Sequence, residues 1–274
     1  MTCAWDELLR ILPQRVRAEA MRYEGTLQEI RMRRGKPPEY VTASGFSEGK
    51  GAVTADELAF CVNAASRYSP WTAETLSQGY ITAPGGHRIG VCGEAIVKNG
   101  IFAGVRSTDF LCIRVARDYE GIAECIPLAG QALLILGAPG WGKTTLLRDL
   151  ARRIARDRTV AVVDERRELF PPGFSSGKRM DILSGCPKQQ GIEIVLKTMS
   201  PEYIAVDEIT SEADCAALIA AFGCGVRLLA TAHASSMDDF CRRTINAPLL
   251  KSNLFDSFLI LHRDKSFHME EYRS

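Results

Sequence analysis

The chain has 274 residues, of which 46% are hydrophobic and 24% charged, and its formal net charge is +1. This length allows one large domain or two smaller ones, and the composition is that of a globular protein rather than a disordered or fibrous one. A net charge near zero removes a general argument for nucleic-acid binding, although it does not exclude a local basic patch.

The nine cysteines form no C-x-x-C pair and no Cys/His cluster at metal-ligand spacing, which disfavours a structural zinc. Cys61, Cys112, Cys215 and Cys224 lie in apolar runs, so we expect buried, reduced thiols in a cytosolic protein. We find neither a signal peptide nor an apolar run near the ~20 residues of a membrane span, so we expect only peripheral membrane contact.

The first part of the chain mixes helix and strand patterns. Apolar residues near helical spacing predict one amphipathic helix over residues 5–20, and alternation over Leu27–Arg33 predicts a strand. Thr54, followed by Glu57, predicts a capping box on a helix that runs to about Ser66. A further helix is predicted at Thr72–Gln78. Three strands are predicted at Tyr80–Thr82, Arg88–Cys92 and Ile113–Ala116. Residues 1–125 are therefore expected to form an α+β N-terminal domain.

From Ala132 onward, short apolar strands alternate with helices, as in a parallel sheet that is covered on both faces. The predicted strands are Leu133–Leu136, Thr159–Val163, Tyr203–Val206, Val226–Thr231 and a late edge strand, Phe258–Leu261. The predicted helices are Lys143–Arg156, Gly191–Met199 and Glu212–Phe222. This order predicts a doubly wound α/β domain over residues 126–262 and a polar tail over 263–274.

The segment after the first of these strands reads G-A-P-G-W-G-K-T-T and matches G-x-x-x-x-G-K-[ST] at the start of a helix. Its glycines let backbone N–H groups point at phosphate oxygens, and the helix N-terminus adds a favourable dipole. We expect it to bind ATP, with Lys143 on the β- and γ-phosphates and the Thr144 hydroxyl on Mg²⁺. The residues assigned to nucleotide binding are Gly137, Ala138, Pro139, Gly140, Trp141, Gly142, Lys143, Thr144 and Thr145. Trp141 either covers the nucleotide, meets a neighbouring subunit or is a partly buried surface side chain.

Two further apolar strands end in polar residues at the carboxyl edge of the predicted sheet, where ligands bind in such folds. After Tyr203–Val206, Asp207 is expected to hold Mg²⁺ and Glu208 to polarise the attacking water, a role worth ~10²–10⁴-fold in rate. An Asp-Glu pair is often only a helix N-cap, but the phosphate loop upstream favours catalysis. Thr231 and His233 are expected to sense the γ-phosphate, against the alternative that the histidine caps a loop.

Charged residues elsewhere leave more than one interpretation open. The segment V-V-D-E-R-R-E-L over Val162–Leu169 either orients water or Mg²⁺ or forms a salt-bridged loop. An arginine from another domain or subunit can stabilise a transferred phosphoryl group, and the candidates are Arg88, Arg106, Arg114 and Arg117. The cluster Arg31, Arg33, Arg34 and Lys36 reads as a solvated strand face in preference to a nucleic-acid or acidic-lipid site.

Several segments, spread over nearly the whole chain, together carry a family resemblance. They are Glu29–Pro38, Gly85–Ala95, the phosphate loop, the D-E-R-R-E segment, D-I-L-S-G-C-P-K-Q-Q-G (Asp181–Gly191), M-S-P-E-Y-I-A-V-D-E-I (Met199–Ile209) and A-T-A-H-A. In this order they resemble the stage III sporulation protein AA family. That family resembles the type II and type IV secretion ATPases. The resemblance implies a RecA-like P-loop NTPase core, a smaller α+β N-terminal domain and a hexameric ring.

The same resemblance implies roles for individual residues. Glu165 would be the acidic-box carboxylate, His233 would belong to the His box, and Arg106 and Arg114 would reach the nucleotide of the ring. Two features depart from the secretion motors: Trp141 stands where a small residue is usual, and the His box lacks the fuller pattern.

The function implied is an ATP-hydrolysing motor in the mother-cell cytoplasm that energises a membrane channel complex to the forespore during endospore formation. Its partners would be other copies of the chain and the membrane-bound channel proteins, with no nucleic acid. The alternatives are a RecA-like nucleic-acid ATPase and a non-catalytic scaffold that nucleotide orders.

Overall fold

The computed structural model describes residues 3–66, 79–127 and 132–271. By its contacts the chain divides into two compact units, Met1–Asp118 with Pro171–Phe174, and Tyr119–Phe170 with Ser175–Ser274. The domain boundary after residue 125 stays a prediction.

The first unit begins with two helices where one was predicted. α1 spans Trp5–Arg10 and α2 spans Gln14–Ala20. The single helix over residues 5–20 is wrong because Pro13 lies between them with an extended ψ of 150°, and proline cannot continue a preceding helix. α3 spans Ala55–Ser66, as predicted. Its capping box is confirmed: Glu57 N–H donates to Thr54 Oγ1 at 3.1 Å, and Thr54 N–H donates to the Glu57 carboxylate at 3.0 Å.

An antiparallel sheet completes this unit, with strand order β3-β2-β1-β6-β5-β4. Its strands are β1 (Leu27–Arg33), β2 (Glu39–Thr42), β3 (Gly45–Glu48), β4 (Tyr80–Thr82), β5 (Arg88–Lys98) and β6 (Ile101–Arg114). One face carries Ile30, Met32 and Ile113 into a core shared with Leu8 and Leu58 of the helices. Two 3-10 segments lie at Met21–Tyr23 and Pro84–Gly86. The predicted helix Thr72–Gln78 lies outside the described residues.

The second unit is built on a sheet with strand order β13-β12-β7-β11-β10-β8-β9. The strands are β7 (Leu133–Leu136), β8 (Val160–Asp164), β9 (Met180–Ser184), β10 (Tyr203–Val206), β11 (Arg227–Ala232), β12 (Ser257–Leu261) and β13 (Phe267–Glu270). All neighbours pair in parallel except β12 and β13. The helices are α4 (Lys143–Ile154), α5 (Lys188–Thr198), α6 (Glu212–Gly223), α7 (Met237–Arg242) and α8 (Ala247–Lys251), with a 3-10 turn at Thr244–Asn246.

The central strands of the second unit's sheet are buried on both faces, whereas the outer strands β9 and β13 are partly exposed. Along β7, Leu134 and Leu136 enter one hydrophobic core, whereas Leu133 and Ile135 enter the other. This alternation explains why the strands read as unbroken apolar runs, and it is the doubly wound arrangement that the sequence predicts.

The end of the chain differs from the prediction. β12 is not an edge strand, because it lies between β7 and β13. Phe267–Glu270 form β13 instead of part of a polar tail, since Phe267 and Met269 pack against the core while His268 points outward. Half-burial of alternate residues is what an antiparallel edge strand requires.

The cysteines also differ in part from expectation. All nine are free thiols, and Cys61 and Cys215 are buried as expected, but Cys112 is only half-buried and Cys224 is exposed. Cys224 follows the last residue of α6, so its apolar neighbours do not cover it. Within the described part of the chain, none of the helices combines the length and apolar character needed to cross a bilayer.

Gly191→Ala is expected to destabilise the second unit. Gly191 is buried in α5, and a Cβ there would meet Val163 Cγ1, a side chain of β8 that is itself 1% exposed. Forcing a methyl group into such packing costs about 1–3 kcal/mol. The matched control is Gly223→Ala at the end of α6, where a Cβ meets nothing within 4 Å. Urea unfolding of both variants tests this, and equal stabilities would contradict it.

Candidate functional site

The phosphate loop joins β7 to α4 in the conformation that its glycines allow. Gly140 and Gly142 have φ values of 77° and 101°, in the left-handed region that favours glycine. Gly142 is the N-cap of α4 and offers no side chain to the first turn. A helix N-terminus without a capping side chain is suited to an anion.

Lys143, the first residue of α4, turns back over this loop. Its Nζ donates to the Ala138 carbonyl at 3.1 Å and lies 2.9 Å from His233 Nδ1. Burial lowers the pKa of Lys143 from its usual 10.5, and the carboxylates of Asp207 and Glu208 oppose that shift. The structure therefore brings together Lys143, His233 and the Asp207–Glu208 pair, which were predicted from three separate segments.

Asp207 accepts two hydroxyl donors from neighbouring segments. Thr144 Oγ1 donates to Asp207 Oδ2 at 2.8 Å, and Thr231 Oγ1 donates to Asp207 Oδ1 at 2.5 Å. These contacts follow from strand order, because β11 lies between β7 and β10 and all three end at the same edge. The two oxygen groups predicted to ligate Mg²⁺, on Thr144 and Asp207, thus adjoin each other. Hard oxygen donors of this kind suit Mg²⁺.

Glu208 lies beside Asp207 with its side chain fully engaged. Its Oε1 is 3.0 Å from His233 Nε2, and its Oε2 is 2.5 Å from Arg166 Nη1. His233 therefore connects Lys143 to Glu208 directly. The N-cap of α6 is Ser211, so the alternative that Asp207 and Glu208 serve as that cap does not apply.

The acidic segment after β8 separates into two roles. Asp164 is buried and accepts the backbone N–H groups of Glu168 and Phe170, each at 2.9 Å, so it shapes the loop. Glu165 is 43% exposed, and its Oε2 is 3.7 Å from Lys188 Nζ. A small pocket adjoins these side chains, lined by Asp164, Glu165, Arg166, Lys188, Asp207, Glu208 and Thr210. Glu165 thus lies at the candidate site, and its catalytic role stays a prediction.

Three residues at this site were not predicted to act there: Arg166, Lys188 and Lys265. Arg166 binds the Glu208 carboxylate, Lys188 donates to the Glu208 carbonyl at 2.7 Å, and Lys265 donates to the Gly140 carbonyl at 3.0 Å. The G-C-P-K segment was a signal for Lys188, since it is specific to the family resemblance. Lys265 lies in the segment predicted to be a tail.

Trp141 is half-buried and packs against the hydrophobic core of the second unit. This favours the third interpretation of Trp141, a partly buried surface side chain.

The predicted arginines lie in the first unit, whereas the phosphate loop lies in the second. Arg106 pairs with Glu94 at 2.8 Å, Arg88 stacks on the Tyr80 ring at 4.1 Å, and Arg117 donates to the Gly25 and Leu27 carbonyls. Arg114 is exposed on β6 opposite Glu29. Contact of Arg106 or Arg114 with nucleotide stays a prediction.

The basic cluster of β1 is paired with acidic side chains. Arg31 binds Glu29 at 2.7 Å, Arg33 binds Glu39 at 2.6 Å and Arg34 binds Asp109 at 3.4 Å. This favours the interpretation as a solvated strand face.

Comparison with known proteins identifies the family. Residues 5–269 match the family described as "Sporulation stage III, protein AA". The chain belongs to this family. It is 36% identical over 256 residues to stage III sporulation protein AA of Bacillus subtilis (strain 168). The matched segment covers 87% of this chain and 83% of that relative. It is 28% identical over 255 residues to protein SEEDLING PLASTID DEVELOPMENT 1 of Arabidopsis thaliana, covering 88% of this chain but 35% of that protein.

Two solved structures resemble the fold of this family member. One is the ATPase DotB of Legionella pneumophila, with a TM-score of 0.58, 16% identity, and coverage of 93% of this chain and 77% of that one. The other is the pilus retraction motor PilT with bound ADP, with a TM-score of 0.67, 12% identity, and coverage of 94% and 82%. These likenesses confirm the predicted fold class, a RecA-like α/β core with a smaller α+β N-terminal domain.

Asp214→Asn is expected to lower stability in a pH-dependent way. Burial alone would raise the pKa of Asp214, but the Thr210 N–H and the Lys188 ammonium outweigh it and hold the pKa below the usual 3.8. A depressed carboxyl pKa contributes stability that is present above 3.8 and lost as pH falls through the folded value. The variant should lose about 2 kcal/mol at neutral pH, because charged hydrogen bonds become neutral ones.

The measurement is urea unfolding at neutral pH and at a pH below 3.8, with exposed Glu212→Gln in the same helical turn as control. The deficit of Asp214→Asn should shrink at the lower pH. A deficit that does not change with pH would contradict the assigned ionisation.

Proposed function

We propose that this member of the family hydrolyses ATP in a Mg²⁺-dependent reaction at the edge formed by β7, β10 and β11. The observation that supports the proposal is the continuous set of contacts from Lys143 through His233 to Glu208, beside the Thr144–Asp207 pair. A scaffold that merely binds phosphate has no need for a carboxylate and an imidazole held at that position.

Each residue has a distinct task in the proposed reaction. Residues 137–145 wrap the phosphates with backbone N–H groups, and Lys143 places its positive charge on the β- and γ-phosphates. Thr144 and Asp207 would hold Mg²⁺, which when bound neutralises charge developing on the phosphate oxygens. Glu208 orients the attacking water and accepts its proton, and His233 senses the γ-phosphate from between Lys143 and Glu208. Glu165 is proposed to assist in orienting water.

We also propose that copies of the chain form a hexameric ring in which Arg106 or Arg114 reaches a nucleotide. The ring would act in the mother-cell cytoplasm and energise a membrane channel complex during endospore formation. Membership of the sporulation family supports the setting, and the fold shared with a protein described as a pilus retraction motor supports motor activity.

Phosphate release by the purified chain tests the chemistry. We expect release with ATP and Mg²⁺ and none after chelation by EDTA. Sedimentation with and without ATP tests ring formation, and a chain that stays monomeric under all nucleotide conditions would refute the ring. Nucleotide-driven assembly without phosphate release would establish the scaffold instead.

A further inference from the structure

Lys188 is a buried lysine to which the proposed reaction assigns no task. It is the first residue of α5, directly after Gly185, Cys186 and Pro187, and its side chain is 5% exposed. A buried ammonium must be compensated by nearby acceptors. Its Nζ lies 2.7 Å from the Glu208 carbonyl oxygen, 3.2 Å from Asp214 Oδ2 and 3.7 Å from Glu165 Oε2. One of these contacts is to the main chain of the proposed catalytic base.

The main chain of Glu208 has a conformation that needs such support. Its φ is 49°, in the left-handed region that residues other than glycine seldom adopt. A residue stays there only where its surroundings hold it. Two contacts hold its main-chain polar groups: the N–H donates to Thr231 Oγ1 at 2.9 Å, and the carbonyl accepts from Lys188. Arg166 and His233 contact only the carboxylate. Thr231 lies on β11 and also donates to Asp207. Of the two residues that contact the Glu208 main chain, Lys188 is therefore the one on a helix.

We propose that Lys188 is a positioning residue for hydrolysis, which holds the Glu208 carbonyl and thereby fixes where the Glu208 carboxylate stands. This inference rests on the proposed ATPase function. Without the Lys188 ammonium, the Glu208 backbone can relax toward negative φ, and its side chain then leaves the place from which it faces the water. Lys188 acts through Glu208 and does not touch the nucleotide.

A purely structural role makes a different prediction. Lys188 also pairs with Asp214, which accepts the N–H groups of Thr210 and Ser211 at the start of α6. If this pair were its whole purpose, losing Lys188 would lower stability and leave the turnover of folded protein unchanged. A measurement of kcat on folded protein therefore distinguishes the positioning role of Lys188 from a purely structural one.

The first experiment compares steady-state ATP hydrolysis by wild type, Lys188→Met and Lys197→Met. Lys197 is on the same helix but 75% exposed, which makes it a matched control. We expect Lys188→Met to lower kcat about 10²-fold, since displacing a catalytic group by an ångström costs that much. KM for ATP should stay within about twofold, because the phosphate loop is untouched. Lys197→Met should match wild type.

The second experiment repeats Lys188→Met in the Glu208→Gln background, in single turnovers with protein in excess. If Lys188 acts through the Glu208 carboxylate, its removal should cause almost no further loss there. A loss of the same factor in both backgrounds would overturn the inference. So would a folded Lys188→Met protein with wild-type kcat.

Lys188→Gln, which keeps an N–H donor of shorter reach, replaces Lys188→Met if circular dichroism shows that the latter does not fold. The same loss in kcat with unchanged KM is expected of it, and wild-type kcat would again overturn the inference. A wild-type chain without hydrolysis would instead refute the proposed function. The two failures are therefore distinguishable.

Discussion

Replacing Lys143 with alanine should reduce ATP hydrolysis by at least about 10²–10³-fold, the usual effect of deleting one preorganised charge or donor at a reacting centre. Lys143 is proposed as the cation that the loop brings to the phosphates. Its Nζ lies among the polar groups of the site, 3.1 Å from the Ala138 carbonyl and 2.9 Å from His233. Nucleotide binding should weaken as well, because this charge serves the ground state and the transition state alike.

Phosphate release and titration with a fluorescent ATP analogue measure the two effects. Lys251→Ala, at the exposed end of α8, is the control for loss of a lysine. Full turnover by Lys143→Ala would contradict the assignment of the phosphate loop as the reaction centre.

Much of the second unit could be predicted because its strands carry a simple signal. Leu133–Leu136 and Tyr203–Val206 were predicted with the bounds the structure gives, since a strand buried on both faces is an apolar run that ends where the backbone reaches the ligand edge. The polar residues that follow such runs could then be placed at one edge. This is why Asp207, Glu208 and His233 could be predicted to lie at one edge, whereas Thr144 was predicted from the phosphate-loop motif.

The first unit was harder because much of its sheet is exposed. β6 runs over Ile101–Arg114, but only its end was predicted, since exposed Ile101 and Phe102 break the alternation of buried and polar residues. A local signal was missed: Asn99 and Gly100 have φ values of 53° and 78°, as the turn of a two-residue hairpin requires. The break at Pro13 was also present in the sequence.

Contacts between distant segments account for what was missed at the site. Nothing in the order of residues tells that Lys188 at the start of a helix reaches the carbonyl of Glu208, or that Arg166 reaches its carboxylate. The Arg166 contact depends on β8 and β10 pairing side by side, which brings the loop after β8 next to the end of β10. Lys188 follows β9, which pairs with β8 on its other side. Sequence predicts which residue types end each strand, but the lateral order of strands decides which of them meet.

The Glu208→Gln variant is expected to separate binding from chemistry. Glutamine keeps the size of the side chain but cannot accept a proton from water, so phosphate release should fall by ~10²–10⁴-fold. Nucleotide binding should remain or tighten, because Thr144, Asp207 and the loop are unchanged. The amide also loses the ion pair to Arg166 at 2.5 Å, so Arg166 should become freer in the variant.

Single-turnover hydrolysis and ATP-analogue binding, measured on the same preparation, test this. Glu193→Gln on the exposed face of α5, where the side chain is 69% exposed, is the isosteric control and should behave as wild type. Equal loss of binding and turnover in Glu208→Gln would mean that Glu208 shapes the nucleotide pocket and does not act as the base. Unimpaired turnover would mean that another carboxylate at this edge of the sheet acts as the base. The candidate is then Glu165, which lies 3.7 Å from Lys188 Nζ.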